Sequence, residues 1–62
     1  MNVSIWNKTT KKYIDIRAVT FIANDTVTVI NGIPKESFAI ETKTSKKYYA
    51  KELYSLDFIH SE

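Results

Sequence analysis

The sequence predicts a single small domain that is all or mostly β and spans residues 1–62. Apolar and polar residues alternate with a period of two over most of the stretch from Val3 to Thr42, which is typical of strands with one buried face. Apolar residues make up 44% of the chain, which is enough for a folded core and argues against intrinsic disorder. Polar clusters separate the alternating stretches and indicate turns.

The chain is short and has no cysteine. A domain of this size buries only about 60% of the surface that its unfolded chain exposes, so we expect modest stability. The absence of cysteine excludes disulfides and cysteine-rich zinc sites, and the single histidine, His60, cannot form an all-histidine site. We therefore expect no metal and no cofactor, and a fold stabilised by an efficient apolar core or by self-association.

The first strand is predicted at 3–6, and a polar loop follows at 7–12. Segment 13–22 predicts a long strand in which the alternation changes phase at Ala18. Such a change indicates a bulge or bend, which lets a long strand turn the corner of a small barrel.

The next connection is predicted to be a three-residue loop at 23–25. A two-residue turn at Asn24-Asp25 would mix apolar and polar side chains on both faces of the hairpin. Because a slip of one residue moves every side chain to the opposite face, the pattern favours the three-residue loop. That register places four apolar residues on one face: Val19, Phe21, Val27 and Val29.

The dipeptide Asn31-Gly32 is the strongest signal for a two-residue hairpin turn in the chain. A turn at this place would pair Val29 with Pro34 and Val27 with Glu36. Proline cannot donate to the ladder of a sheet, and a glutamate would enter the face expected to be apolar. The pattern therefore disfavours the two-residue turn.

A six-residue loop at 31–36 is predicted instead, with Val29 paired to Phe38. The loop then carries Ile33 and Pro34 at an exposed tip. Loops on a rigid scaffold are where binding residues concentrate, so both residues become candidates for contact with a partner. The alternative is that Ile33 packs against Ile30 or the mouth of the barrel.

The last third of the chain has two interpretations. After a strand at 37–42 and a polar turn at 43–47, alternation predicts a strand, a short helical turn near 50–53 and a final strand. The fold is then a small five-stranded antiparallel barrel or rolled sheet. This layout resembles SH3-like small barrels in architecture, and such a likeness implies no function. The alternative is an α+β fold, an antiparallel meander with a C-terminal helix near 46–59.

We expect a binding module that is not an enzyme. Acid–base and nucleophilic catalysis need two or three groups within hydrogen-bond reach of one another. The sequence offers only His60 and scattered carboxylates, with no glycine-rich phosphate loop and no spacing typical of metal ligands.

The predicted function is protein–protein interaction, as an accessory or regulatory subunit or as a self-associating module that forms homo-oligomers. Trp6 follows Ile5, which we expect to face the core, so Trp6 is expected on an outer surface unless the barrel or the tail covers it. Exposed tryptophan and tyrosine are typical anchors of interfaces. The candidate partner-binding residues are Trp6, Tyr13, Ile33, Pro34, Tyr48 and Tyr49.

The alternative is a weak nucleic-acid-binding β domain. Lysines interleave with tyrosines at 11–14 and 46–51, which is a pattern that contacts phosphates and stacks bases. The net charge is only +2, a single arginine is present, and a meander keeps these two segments at opposite ends. The candidate residues are Lys11, Lys12, Lys46, Lys47 and Lys51.

The expected location is the cytoplasm, without membrane contact, because neither a signal peptide nor an apolar stretch of membrane-spanning length is present. Residue types with AT-rich codons, namely Phe, Tyr, Met, Ile, Asn and Lys, total 28, whereas Gly, Ala, Arg and Pro total 7. This bias leads to the hypothesis of an AT-rich genome, that of a low-GC bacterium or its phage.

Overall fold

A computed structural model describes residues 1–60, which form two three-stranded antiparallel sheets. The six strands are β1 (Asn2–Asn7), β2 (Lys12–Ile16), β3 (Val19–Ile30), β4 (Ile33–Thr42), β5 (Lys46–Ala50) and β6 (Tyr54–His60). The first sheet has the order β2-β1-β6 and the second the order β3-β4-β5. The all-β class is confirmed, but there are six strands rather than five, and within residues 1–60 the sheets do not close into a barrel.

The core lies between the two sheets. Val3 and Ile5 of β1 and Phe38 and Ile40 of β4 are each at most 2% exposed, and they form one cluster with Val19. The two cluster residues of β1, and likewise the two of β4, are two positions apart because alternate side chains of a strand point to the same face. The partly buried residues that pack around this cluster are Ile14, Ile16, Ile22, Tyr49, Tyr54 and Leu56.

A bend at Ala18 transfers the chain from the first sheet to the second. Ala18 has a φ of 58°, in the left-handed region that non-glycine residues rarely adopt, and its N–H donates to the Asn2 Oδ1 at 3.2 Å. The Val19 N–H donates to the Met1 carbonyl at 2.7 Å. The bend predicted from the change in alternation is thus confirmed, and it separates β2 from β3.

Strand β3 continues through 23–25, so the loop predicted there is wrong. Ala23 pairs with Ala39 and Thr26 pairs with Ser37, which leaves two residues of β3 opposite Phe38 alone. This two-against-one arrangement is a β-bulge, and it changes the phase of the alternation without ending the strand. The polar dipeptide at 24–25 that indicated a turn lies in this bulge.

Asn31-Gly32 forms a two-residue turn that joins β3 directly to β4. Ile30 pairs with Ile33 across the turn. The φ angles of the two turn residues are 52° and 78°, which is the left-handed conformation that a type I′ turn requires at both central positions. The predicted six-residue loop at 31–36 is therefore wrong.

The two pairs that follow from a two-residue turn, and that the alternation pattern disfavoured, are present in the hairpin. Val27 pairs with Glu36, and Val29 pairs with Pro34. They are tolerated because this part of the sheet is not covered: Val27 is 63% and Val29 66% exposed, and Glu36 is exposed as well. A carboxylate next to an exposed valine stays in water, so no charge is buried.

The C-terminal third is strand, turn and strand, so the alternative with a helix near 46–59 is wrong. The helical turn predicted near 50–53 is also absent, and a hydrogen-bonded turn occupies its place. The Leu53 N–H donates to the Ala50 carbonyl at 3.0 Å, and the Lys51 N–H donates to the Glu36 carbonyl at 2.9 Å.

Within residues 1–60, no helix has the length and the apolar character that are needed to span a membrane.

Candidate functional site

Four aromatic side chains lie together on the outer face of the first sheet. Ile5 points into the core, so its neighbour Trp6 points outward, where it pairs with Tyr13 of β2. The Trp6 and Tyr13 ring centroids are 4.8 Å apart at an interplanar angle of 61°. Phe58 of β6 lies 5.9 Å from Tyr13, and His60 lies 6.2 Å from Phe58 at 22°. We call Trp6, Tyr13, Phe58 and His60 the aromatic face.

A bulge in β6 directs Phe58 to this face. Ile5 pairs with Leu56 but Ser4 pairs with Phe58, so Asp57 is an extra residue on β6. Leu56 therefore packs on the core while Phe58, two residues later, points outward. Regular alternation would place both residues on the same side, so the sequence alone does not predict Phe58, or with it His60, on the outer face.

The aromatic face is open to solvent. Tyr13 is 50% and Phe58 51% exposed, Trp6 is half-buried and His60 is exposed. Tyr13, Phe58 and His60 line a shallow recess of about 350 Å³ together with Ser4 and Asp15. Contiguous exposed apolar surface of this kind marks interaction sites on small soluble proteins.

Two carboxylates border the aromatic face. Asp57 accepts hydrogen bonds from the Tyr13 hydroxyl at 3.3 Å and from the Ser55 hydroxyl at 2.6 Å. Asp15 accepts a hydrogen bond from the Ser4 hydroxyl at 2.7 Å. Neither carboxylate forms an ion pair with another residue in the described part of the chain. Both negative charges therefore remain available to a cation that approaches the rings.

The Tyr13 hydroxyl stays protonated over a wide pH range. Partial burial raises the pKa of Tyr13 above its ordinary value, and the charge of Asp57 and the hydrogen bond to Asp57 raise it further. The hydroxyl is therefore a donor at neutral pH, and it holds the Asp57 carboxylate next to the aromatic rings.

The two other candidate tyrosines lie elsewhere. Tyr48 is on the second sheet, 48% exposed, with the Lys46 ammonium 5.5 Å from its ring centroid. Tyr49 faces the core, where it stacks on Phe38 at 5.5 Å and contacts Tyr54 edge-on at 5.2 Å. Burial raises the pKa of Tyr49, and Tyr54 raises it further. Tyr49 is therefore placed to pack the core rather than to contact a partner.

Ile33 and Pro34 lie at the end of the β3–β4 hairpin, on the second sheet. Ile33 is 55% exposed and Pro34 is exposed as well. The structure thus places both side chains at an exposed tip, on a turn tighter than the predicted loop, and separates them from the aromatic face. Of the six candidate partner-binding residues, only Trp6 and Tyr13 belong to that face.

The five candidate lysines fall into two groups at opposite ends of the sheets. Lys11 and Lys12 lie at the β1–β2 turn. Lys51 lies at the same end of the molecule, since its carbonyl accepts a hydrogen bond at 3.0 Å from the ammonium of Lys8, which belongs to that turn. The second group, Lys46 and Lys47, begins β5. None of the five lines the recess of the aromatic face.

No protein-family model, curated protein or solved structure matches this chain. Residues 1–60 contain no group of three or more histidine, aspartate or glutamate side chains that could hold a metal ion.

Proposed function

We propose that the protein is a small protein-interaction module that binds a partner protein through the aromatic face. The partner presents a lysine or arginine side chain next to apolar side chains. The observation that carries this proposal is the contiguous row of four aromatic rings, three exposed and that of Trp6 half-buried, with Asp15 and Asp57 beside it.

Aromatic anchors account for the affinity. Tryptophan and tyrosine are enriched among the residues that dominate binding energy at interfaces. Their rings offer a large contact area and lose little conformational freedom on binding, since each has only two side-chain torsions. Tyr13 already contacts both Trp6 and Phe58 in the free protein, so a partner meets a surface that is largely preorganised.

The bordering charges account for the choice of partner. A lysine or arginine of the partner can lie over an aromatic ring and interact with its negative face, while a carboxylate supplies the opposite charge. Arg17 lines a neighbouring recess with Asp15, so the side of the face next to Asp57 is the more acidic one. The same carboxylates oppose the approach of a phosphate backbone, which favours a protein over a nucleic acid.

Two further points belong to this proposal. We propose that the two sheets are related as in SH3-like domains, because a bent β2–β3 segment contributes a strand to each sheet and a short turn precedes the last strand. The module acts in the cytoplasm as an accessory or regulatory subunit. The SH3-like arrangement carries no function by itself.

Selection from a phage-displayed library of random peptides tests the proposal. Peptides selected on the wild-type protein should contain lysine or arginine flanked by apolar residues. Tyr13→Ala should weaken the binding of a selected peptide by about tenfold or more, as expected of an interface anchor. Tyr48→Ala is the matched control, because Tyr48 has nearly the same exposure on the other sheet, and it should change the affinity by less than about twofold. Equal losses in both variants would refute the proposal.

A nucleic-acid assay tests the alternative function. Binding to single-stranded DNA or RNA is measured at about 50 mM salt, where electrostatic contacts are strong. Binding that falls steeply when salt is added would contradict the preference for a protein partner. Substitution of Lys46, Lys47 and Lys51 by glutamine should then abolish it. We expect no such binding.

A further inference from the structure

Strand β3 is a long open edge that lacks the usual protection. It spans 12 residues at the edge of the second sheet, and its only charged residue is Asp25. The edge strands β2 and β5 are each five residues long and carry charged residues, Lys12 and Asp15 in β2 and two lysines in β5. Short edges, lysines and prolines prevent pairing between molecules, and β3 has none of them.

The part of β3 next to the turn also exposes apolar side chains. Val27 and Val29 lie on the core-facing side of the sheet, but beyond the bulge at 24–25 no other part of residues 1–60 covers them. Ile30 and Ile33 are exposed at the tip. A strand that alternates threonine with valine has high β propensity, so this segment combines free pairing capacity with apolar surface.

The backbone groups of Val27 and Val29 point away from β4. In a hairpin with a two-residue turn, the pair that closes the turn, here Ile30 and Ile33, exchanges both hydrogen bonds. Hydrogen-bonded and non-hydrogen-bonded pairs alternate along an antiparallel ladder. The Val29–Pro34 and Val27–Glu36 pairs are therefore of the non-hydrogen-bonded kind, and the N–H and C=O groups of both valines face the open edge.

We infer that a second copy of this chain pairs with this edge, β3 against β3, in antiparallel orientation about a two-fold axis at Thr28. Val27 of each copy then lies opposite Val29 of the other, so the outward N–H and C=O groups of both valines meet. Thr28 lies opposite Thr28 of the other copy. The two second sheets become one continuous six-stranded sheet.

The segment is self-complementary in this register. Each valine meets a valine, and such cross-strand contacts between β-branched side chains stabilise a sheet. Asp25 lies opposite Asn31 of the other copy, so no like charges meet. Only a few residues of each chain pair, which is a small interface, and small interfaces are typical of weak, concentration-dependent association. This inference is independent of the aromatic face, which lies on the other sheet.

Disulfide trapping tests the pairing and its register, since the chain has no cysteine of its own. In Thr28→Cys, the two cysteines of a dimer lie in a non-hydrogen-bonded pair about 4.5 Å apart between Cα atoms, which suits a disulfide. In the control Ile30→Cys, on the same strand face, the two cysteines are four residues out of register, roughly 14 Å apart along the strands. Mild oxidation should trap a dimer of Thr28→Cys and leave Ile30→Cys monomeric.

Equal trapping of both variants, or trapping of Ile30→Cys alone, would overturn the inference. Far-ultraviolet circular dichroism of each variant confirms that it is folded. The absence of a Thr28→Cys dimer at about millimolar protein, a concentration at which even weak association is populated, would also overturn it.

Sedimentation equilibrium with charged variants tests the same pairing without cysteine. A chain with Val27→Lys and Val29→Lys places lysine opposite lysine, and its dimer dissociation constant should rise by about tenfold or more. A chain with Val27→Glu and Val29→Glu should also be monomeric by itself, and a mixture of the two should restore dimers. Phe21→Lys, on β3 but outside the paired segment, should dimerise like the wild type. Dimers of the lysine variant alone would contradict the proposed register.

Discussion

The two halves of the β3–β4 hairpin have the same kind of sequence and opposite surroundings. In the half next to the bend, Ile22 pairs with Ile40, and Phe38 and Ile40 are almost fully buried. In the half next to the turn, Val27 and Val29 lie on the same side of the sheet and are about two-thirds exposed. The difference arises because the first sheet covers only one half.

This comparison shows that alternation identifies a strand but not what covers it. A strand with one apolar face forms whether or not a second layer packs on that face, as long as its partner strand is present. Burial is then decided by the reach of the other sheet. The uncovered half has surface available for contacts between molecules.

The largest expected effect contrasts a covered residue with an uncovered one. Phe38→Ala should lower the free energy of unfolding by about 3–5 kcal/mol, because it removes a buried ring and leaves a cavity. Val29→Ala should lower it by less than about 1 kcal/mol, because the side chain is largely in water already. Urea denaturation of both variants measures the difference. Similar losses would show that the exposed half is covered in solution.

A medium effect is expected at the turn that joins β3 to β4 at the end of the uncovered half. Gly32→Val should cost about 1–3 kcal/mol, because a β-branched residue is strained at a φ of 78°. Apart from Gly32 and its two neighbours in the chain, no residue of the described part has a heavy atom within 4 Å of the position of an added Cβ, so this cost comes from backbone strain alone. Asn31→Gly is the control and should change stability by less than about 0.5 kcal/mol, since glycine adopts the same conformation freely. Equal stability of Gly32→Val and the wild type would contradict the tight turn.

A small effect is expected at the tip. Ile33→Ser should change the free energy of unfolding by no more than about 0.5 kcal/mol, because Ile33 is largely exposed. If Ile33 folded back onto the core, the loss would be about 2 kcal/mol or more. Thermal denaturation distinguishes the two values, and a large decrease in melting temperature would contradict the exposed position.

The smallest effect concerns Tyr49 of β5, which stacks on Phe38 of the covered half, at high pH. Burial raises the pKa of the folded Tyr49, whereas in the unfolded chain tyrosine ionises near its ordinary value of about 10. The unfolded chain thus loses this proton first. The contribution of protonated Tyr49 to the free energy of unfolding is complete below about pH 10, and it is lost as the pH rises through the raised pKa of the folded state.

Urea midpoints from about pH 8 to about pH 11 measure this loss. The midpoint of Tyr49→Phe should fall less with pH than that of the wild type. The control Tyr48→Phe, which alters an exposed tyrosine on the neighbouring position of β5, should fall as the wild type does. An unchanged pH dependence in Tyr49→Phe would contradict the buried position of the hydroxyl.

Part of the fold could be predicted from the sequence because it depends on local alternation. The strand at 3–6 and the bend at Ala18 were predicted and are present. The Asn31-Gly32 turn was rejected on the assumption that Glu36 and Pro34 would enter a buried face. That assumption concerned the extent of the other sheet, which local sequence does not specify, and the turn signal itself was right.

The candidate site was predicted in part for a related reason. Trp6 and Tyr13 were identified because β1 and β2 alternate regularly and pair without interruption. Phe58 and His60 were missed because the bulge at Asp57 reverses the side to which they point. A bulge depends on how two strands pair, here β1 and β6, so the pattern of a single strand does not reveal it.

The most direct test of the central claim, that partners bind to the aromatic face, is a fluorescence titration of Trp6, the only tryptophan of the chain. A selected peptide that carries lysine or arginine should shift the Trp6 emission as it saturates the protein, because it covers the exposed edge of the indole. Phe58→Ala should weaken that titration by about tenfold. Calorimetric binding of the same peptide with unchanged Trp6 emission, and with equal affinity for Phe58→Ala, would contradict the claim.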